Sequence, residues 1–168
     1  MSDSSSAGVE RENERNEIGA DPNRINKWDF FISYPSPEKK IVEELYLLLK
    51  PHARVFFDSR SLMAGDEWGL TIPAAMKQTS IIVVLISART EQAYYQRGEI
   101  AAAVNLVRNN PNRHRLVPVF IDEASMTNNS VPYGLLQIHS LKLPEMTGLA
   151  ELADKLLKLL SISNEKKR

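Results

Sequence analysis

Few residues of this 168-residue chain have types and spacings that suggest chemistry. It has no cysteine, and His52, His114 and His139 are scattered without any ligand spacing. Thiolate nucleophiles, disulfides and Cys-based zinc sites are therefore excluded, no metal site is expected, and the histidines read as surface or strand-edge residues. No GxGxxG, P-loop or HExxH pattern occurs, which disfavours a dinucleotide dehydrogenase, an NTPase and a zincin. One carboxylate stands out. Glu99 sits in "AYYQRGEIAAAV", Ala93 to Val104, a stretch otherwise suited to a buried helix. On a helix, Tyr95, Glu99, Ala103 and Leu106 share one stripe, and Gly98 adds no bulk and would allow close approach. A carboxylate in apolar and aromatic company costs free energy unless something pairs with it, and a ligand hydroxyl is one such partner. The alternative is a glutamate at the margin of the buried face, reaching solvent or an arginine.

The elements that would position Glu99 follow from periodicity. Residues 1–26 are polar, charged and free of aromatics, and read as a disordered tail. From Lys27 onward, apolar runs alternate with helical patterns, giving one folded domain over 27–162 and a charged C-terminal end at 163–168. Strands are predicted in "WDFFIS", "ARVFFD", "SIIVVLIS", "HRLVPVFID" and, more weakly, "QIHSLKL". Helices are predicted in "SPEKKIVEELYLLLK", with Ser36 as N-cap and Pro37 at the first helical position, and in "DEWGLTIPAAMKQ", interrupted by Pro73. "EQAYYQRGEIAAAVNLVRN" and "GLAELADKLLKLLS" are the other two helices. Strands alternating with helices, the third strand apolar on both faces, imply an α/β fold with a five-stranded parallel sheet and helices on both faces. Right-handed crossovers leave the flavodoxin-like order 2-1-3-4-5 as the leading topology.

That order places a crevice beyond the carboxyl ends of strands one and three, where open α/β sheets bind ligands. Ser33, Tyr34, Pro35 and Ser36 follow strand one, Ser87 opens the segment after strand three, and Asp58, Arg60, Leu62, Gly65 and Trp68 belong to the loop after strand two. The helix beginning near Ser36 adds backbone N–H groups suited to a phosphate. Net charge is zero, so no basic field argues for nucleic acid. No apolar run approaches the ~20 residues that span a bilayer, and no membrane association is expected. The lack of cysteine agrees with a cytoplasmic home.

"WDFFISY", then "FFDSRSLMAGDEW", then "IIVVLIS" with "YYQRGEI", resembles the Toll/interleukin-1 receptor (TIR) domain family, its stand-alone or effector-type bacterial members in particular. The resemblance runs from about Lys27 to Leu160. It implies the flavodoxin-like sheet and, by analogy with many bacterial, plant and axonal members, cleavage of NAD+ at the nicotinamide–ribose bond, with NAD+ as substrate and no cofactor. Glu99 falls on the family's essential glutamate, and Tyr95 on an aromatic position four residues before it. Asp58, Leu62, Gly65 and Trp68 correspond to a loop the family uses at the nucleotide site and for assembly. Ser33 to Ser36 correspond to the segment after strand one, without the arginines found there in some NAD-cleaving members. Self-association through the 58–68 loop and an activating partner protein are also implied. Two rivals stand beside this reading. One is a TIR adaptor that only assembles; the other is a receiver or FMN protein, disfavoured because strands one and three end in Ser33 and Ser87 rather than in acidic residues.

Overall fold

A computed structural model describes residues 25–57, 64, 65, 67–127 and 131–167, with only the backbone of 68 and 69. Five parallel strands, β1 (Trp28–Ser33), β2 (Val55–Phe56), β3 (Thr79–Ile86), β4 (Arg115–Phe120) and β5 (Leu141–Lys142), form one sheet in the order β2-β1-β3-β4-β5. The expected flavodoxin-like arrangement is thus observed. β3 lies at its centre, with Phe30 opposite Ile81 on one side and Ile82 opposite Leu116 on the other. All eight of its residues are buried, as a strand covered on both faces requires.

The two-residue alternation of the strands sends successive side chains to opposite faces, and each face builds its own core. Phe30, Ile32, Ile81, Val83, Leu85, Val117 and Val119 meet Val42, Leu45 and Leu49 of α1 (Lys39–Leu49) and Leu152, Leu156 and Leu160 of the closing helix, α6 (Leu149–Glu165). On the other face Phe31, Ile82, Val84, Ile86 and Leu116 meet Ile72 and Met76 of α2 (Trp68–Lys77) and Ile100 and Ala103 of α3 (Tyr94–Asn109). Two short helices, α4 (Glu123–Met126) and α5 (Tyr133–Leu136), follow β4.

Several expectations are corrected. Ser36 does not cap α1; it opens a 3-10 turn, Ser36–Glu38, with Pro37 inside it, and α1 starts at Lys39. α2 runs through Pro73 without a break, because the ring is exposed and the helix gives up only one backbone hydrogen bond. A separate turn, Thr90–Gln92, precedes α3. β2 and β5 are two residues each, shorter than their apolar runs suggest, since edge strands pair on one side only. His114 is 4% exposed, and its Nδ1 lies 2.7 Å from the carbonyl of Thr79, whereas His52 and His139 are exposed as expected.

The amino end of the sheet is tied down by polar groups. Asn26, which the sequence places in the tail, is 4% exposed; it donates to Ser80 Oγ at 3.1 Å and accepts from Arg113 Nε at 3.2 Å. The N–H of Arg54 donates to Asp29 at 2.8 Å, and Lys167 reaches the carbonyl of Arg113 at 2.9 Å. The rest of the tail, residues 1–24, lies outside the described residues. The opposite, carboxyl end of the sheet carries the candidate site.

Candidate functional site

The chain leaves β1 toward β2 on one side and later returns to place β3 on the other, so the sheet's topological switch lies between β1 and β3. Ser33 is the last residue of β1 and is 1% exposed. Its hydroxyl donates to Glu99 Oε2 at 2.6 Å, the short distance of a charge-assisted O–H···O⁻ bond. Glu99 itself is half-buried on the second turn of α3. A serine ending one strand and a glutamate 66 residues later therefore meet over the switch point.

Gln96 fixes the same turn of α3. It is 2% exposed, and its Nε2 donates to the carbonyl of Leu85, near the end of β3, at 2.6 Å. That acceptor sets the orientation of the amide, because a flipped side chain would face two oxygens toward each other. Its Oε1 is buried and has no partner among the described residues. Gln96 and Glu99 are three residues apart and so share one side of the helix. The sequence reading passed over Gln96; the available signal was an amide on the buried side of a helix, three positions before the glutamate.

The segment after β3 is held by its own hydrogen bonds. Ser87, 2% exposed, donates its N–H to Thr90 Oγ1 at 3.0 Å and accepts at Oγ from the N–H of Arg89 at 3.1 Å. The N–H of Ala88 donates to Asp122 Oδ2 at 2.9 Å, and Asp122 Oδ1 caps α4 by accepting from the N–H of Ser125 at 2.7 Å. Burial works to raise the Asp122 pKa, but the bonds from Ala88 and Ser125 and the charge of Arg89 outweigh it and hold the carboxyl below its ordinary range. Arg89 Nη1 lies 4.0 Å from Glu38 Oε1, bridging the loops that follow β3 and β1.

Of the residues expected to line the crevice, Ser33 is joined to Glu99, and Ser87 is buried at the adjacent strand end, engaged in its own turn. Tyr34 is half-buried with its ring edge-on to Phe57, 6.3 Å between centroids, and Pro35 is buried. Ser36 is exposed. Asp58, Arg60 and Leu62 lie outside the described residues, as does the side chain of Trp68. Gly65 has φ +96°, a left-handed conformation that favours glycine. Tyr95 is 85% exposed and not part of a buried stripe, although Ala103 farther along is buried. Gly98 has open space around it, with nothing among the described residues within 4 Å of an added Cβ, so the packing of the domain itself does not require a glycine there. Tyr94 and Tyr95, with Arg97, Arg108 and Tyr133, instead line a depression of about 820 Å³ on the outer side of α3. Among the described residues no group of His, Asp or Glu side chains could hold a metal, and no helix is long and apolar enough to cross a membrane.

The fold has solved relatives. A TIR-STING receptor from C. gigas, in a complex with 2',3'-cGAMP, superposes with a TM-score of 0.65 at 17% identity, over 81% of this chain and 40% of that one. The TIR domains of the activated Roq1 resistosome, which recognises the pathogen effector XopQ, superpose with a TM-score of 0.52 at 16% identity, over 83% and 76% of the two chains. The TIR domain of the Toll-related receptor TRR-2 from Hydra magnipapillata gives 0.58 at 13% identity, over 84% and 99%. These likenesses show the fold. No curated protein matches the sequence. The TIR domain family model matches residues 30–157, from the first core residue of β1 into α6, and on that match the chain belongs to the TIR domain family.

Proposed function

We propose that this TIR domain is an NAD+ glycohydrolase of the bacterial effector type, cleaving the nicotinamide–ribose bond to release nicotinamide and ADP-ribose or a cyclic ADP-ribose isomer. The supporting observation is the 2.6 Å bond from Ser33 to Glu99, which holds a half-buried carboxylate at the switch point of the sheet. As the C1′–N bond breaks, its electron pair leaves with nicotinamide, which departs neutral because its ring carried the positive charge. The leaving group needs little acid. The ribose does need help, because it becomes oxocarbenium-like, as in glycoside hydrolysis. Glu99 opposes that charge from a fixed point, and the hydroxyl of Ser33 keeps the carboxylate from reorienting. Water then bonds to C1′ and yields its proton to solvent, giving ADP-ribose; attack by an adenine nitrogen gives the cyclic product instead.

In this reading the enzyme is cytoplasmic, takes NAD+ as a substrate rather than a resident cofactor, and acts in defence or signalling. It stays quiet until a partner protein gathers its copies through the 58–68 loop. The test is to incubate concentrated purified protein with NAD+ and to follow nicotinamide and the ribosyl products by chromatography. Release above an enzyme-free control is expected; no release at any protein concentration, with or without crowding agents, would overturn the reading.

A second reading, a TIR adaptor acting only by association, is favoured by one observation. Tyr94, Tyr95 and Tyr133 are 83%, 85% and 73% exposed beside Arg97 and Arg108, a composition typical of contact surfaces. An adaptor would associate without releasing nicotinamide.

A further inference from the structure

We infer that Arg89 is the residue that receives the diphosphate of the substrate dinucleotide. The inference rests on the NAD+ reading of the site and adds a second cation to Arg60, which the sequence places in the crevice loop after β2. Ser33 to Ser36, the segment leaving β1, contains no cation. A dinucleotide with its nicotinamide ribose at Glu99 nevertheless carries two phosphate charges through the crevice, and they need a counter-charge from another element.

The loop after β3 supplies one. Its backbone is pinned at three successive residues by the bonds of Ser87 to Thr90, Ala88 to Asp122 and Arg89 to Ser87. The Arg89 side chain, by contrast, is 61% exposed, and its ion pair among the described residues is a 4.0 Å contact with Glu38, itself 17% exposed. A fixed backbone carrying a loosely engaged guanidinium is a preorganised cation with little to give up on binding, because an ion pair at the 4.0 Å limit with one partner largely exposed is weak. Glu38 belongs to the turn after β1 and Arg89 to the turn after β3. Their contact therefore spans the crevice on whose strand ends Ser33 holds Glu99. Asp122 is the other nearby acid, and both its oxygens are engaged by backbone N–H groups, at 2.9 Å and 2.7 Å. Among the described residues, Glu38 is the acid in ion-pair range of Arg89, and the charge of Asp122 acts on it from farther away. A diphosphate competes better, since the planar fork of arginine makes paired charge-assisted bonds to phosphate oxygens.

The test compares wild type with Arg89→Ala and Arg89→Gln, using NAD+ and nicotinamide riboside, which keeps the scissile bond but has no phosphate. For NAD+, KM should rise roughly tenfold or more with kcat little changed. For the riboside, neither constant should move. Affinity for ADP-ribose, measured by calorimetry, should weaken by the same factor, and melting temperatures should match. An unchanged KM for NAD+, or an equal loss on both substrates, would overturn the assignment. Should wild type not cleave NAD+, the proposed function fails and the titration alone decides Arg89: tenfold weaker ADP-ribose binding in the variants supports the phosphate contact, while equal or absent binding overturns it.

Discussion

At the scale of single residues, the proposed site is built around the 2.6 Å bond from the Ser33 hydroxyl to Glu99, which in the catalytic account orients a carboxylate toward a developing cation. Ser33→Ala should leave the fold intact and lower kcat for NAD+ about tenfold, less than loss of the carboxylate itself, since a hydrogen bond to a charged group contributes about 1.5–3 kcal/mol. Steady-state kinetics checks this; an unchanged kcat would mean the bond does not position the carboxylate for reaction. A second residue-scale prediction concerns His114. Burial lowers its pKa most, the bond to Thr79 works the other way, and the charges of Arg113 and Lys167 lower it further. A carbonyl can only accept, so Nδ1 carries the proton, and the lowered pKa leaves the folded ring neutral at pH 7. In the unfolded chain it titrates near ~6.5. Its contribution to stability is therefore complete above about pH 6.5 and is lost as pH falls through the lower folded value. Melting temperature should drop between about pH 7.5 and about pH 5.5, and the drop should be smaller in His114→Gln; equal slopes would contradict it. Glu99 was legible in the sequence because a carboxylate amid an alanine run is conspicuous. Gln96 and His114 were not, since burial of an amide or imidazole is decided by which strand carbonyl the fold brings to it, Leu85 and Thr79 here.

At the scale of elements, α3 carries the candidate site on one side and an open surface on the other. Ile100 and Ala103 bury against the sheet, while Tyr94, Tyr95 and Gly98 face outward. Gly98 is a helix-interior glycine with nothing near a would-be Cβ. Gly98→Ala should stabilise the protein by about 0.5–1 kcal/mol, read by urea denaturation, because alanine loses less backbone freedom on folding. A loss of stability would show that this helix turn needs the glycine. Helix and strand identity was readable from the 3.6- and 2-residue periods, as in "KKIVEELYLLL" and the uniformly apolar β3. Element ends were not. Edge pairing truncated β2 and β5, and Ser36 went to a 3-10 turn because the chain turns once more before α1. The helical stripe through Glu99 is buried at Ala103 and open at Tyr95, which sits on the first turn of α3.

At the scale of the whole molecule, alternation and handedness made the observed strand order the leading topology, and that order points to the crevice beyond β1 and β3 as the candidate site. The domain's edge was less legible: Asn26 looks like tail in composition, yet its amide bridges Ser80 and Arg113 across the amino end of the sheet. Assembly is the property a lone chain displays least. Leu62 and Met63, between β2 and α2, and Trp68, the first residue of α2, are apolar, and apolar residues in and beside connecting segments often mark contacts. If the 58–68 loop joins copies, specific activity should rise with protein concentration or crowding, and Trp68→Ala should flatten that rise. A constant specific activity across a wide dilution series, with a monomer throughout by light scattering, would contradict assembly control.

The most direct test of the central claim is nicotinamide release from NAD+ by wild type and Glu99→Gln at matched high concentration. The glutamine keeps the size and can still accept from Ser33 but carries no charge. The catalytic account predicts a rate lower by about 10²- to 10³-fold with the melting temperature nearly unchanged. Turnover close to wild type would contradict it and leave Glu99 a structural residue.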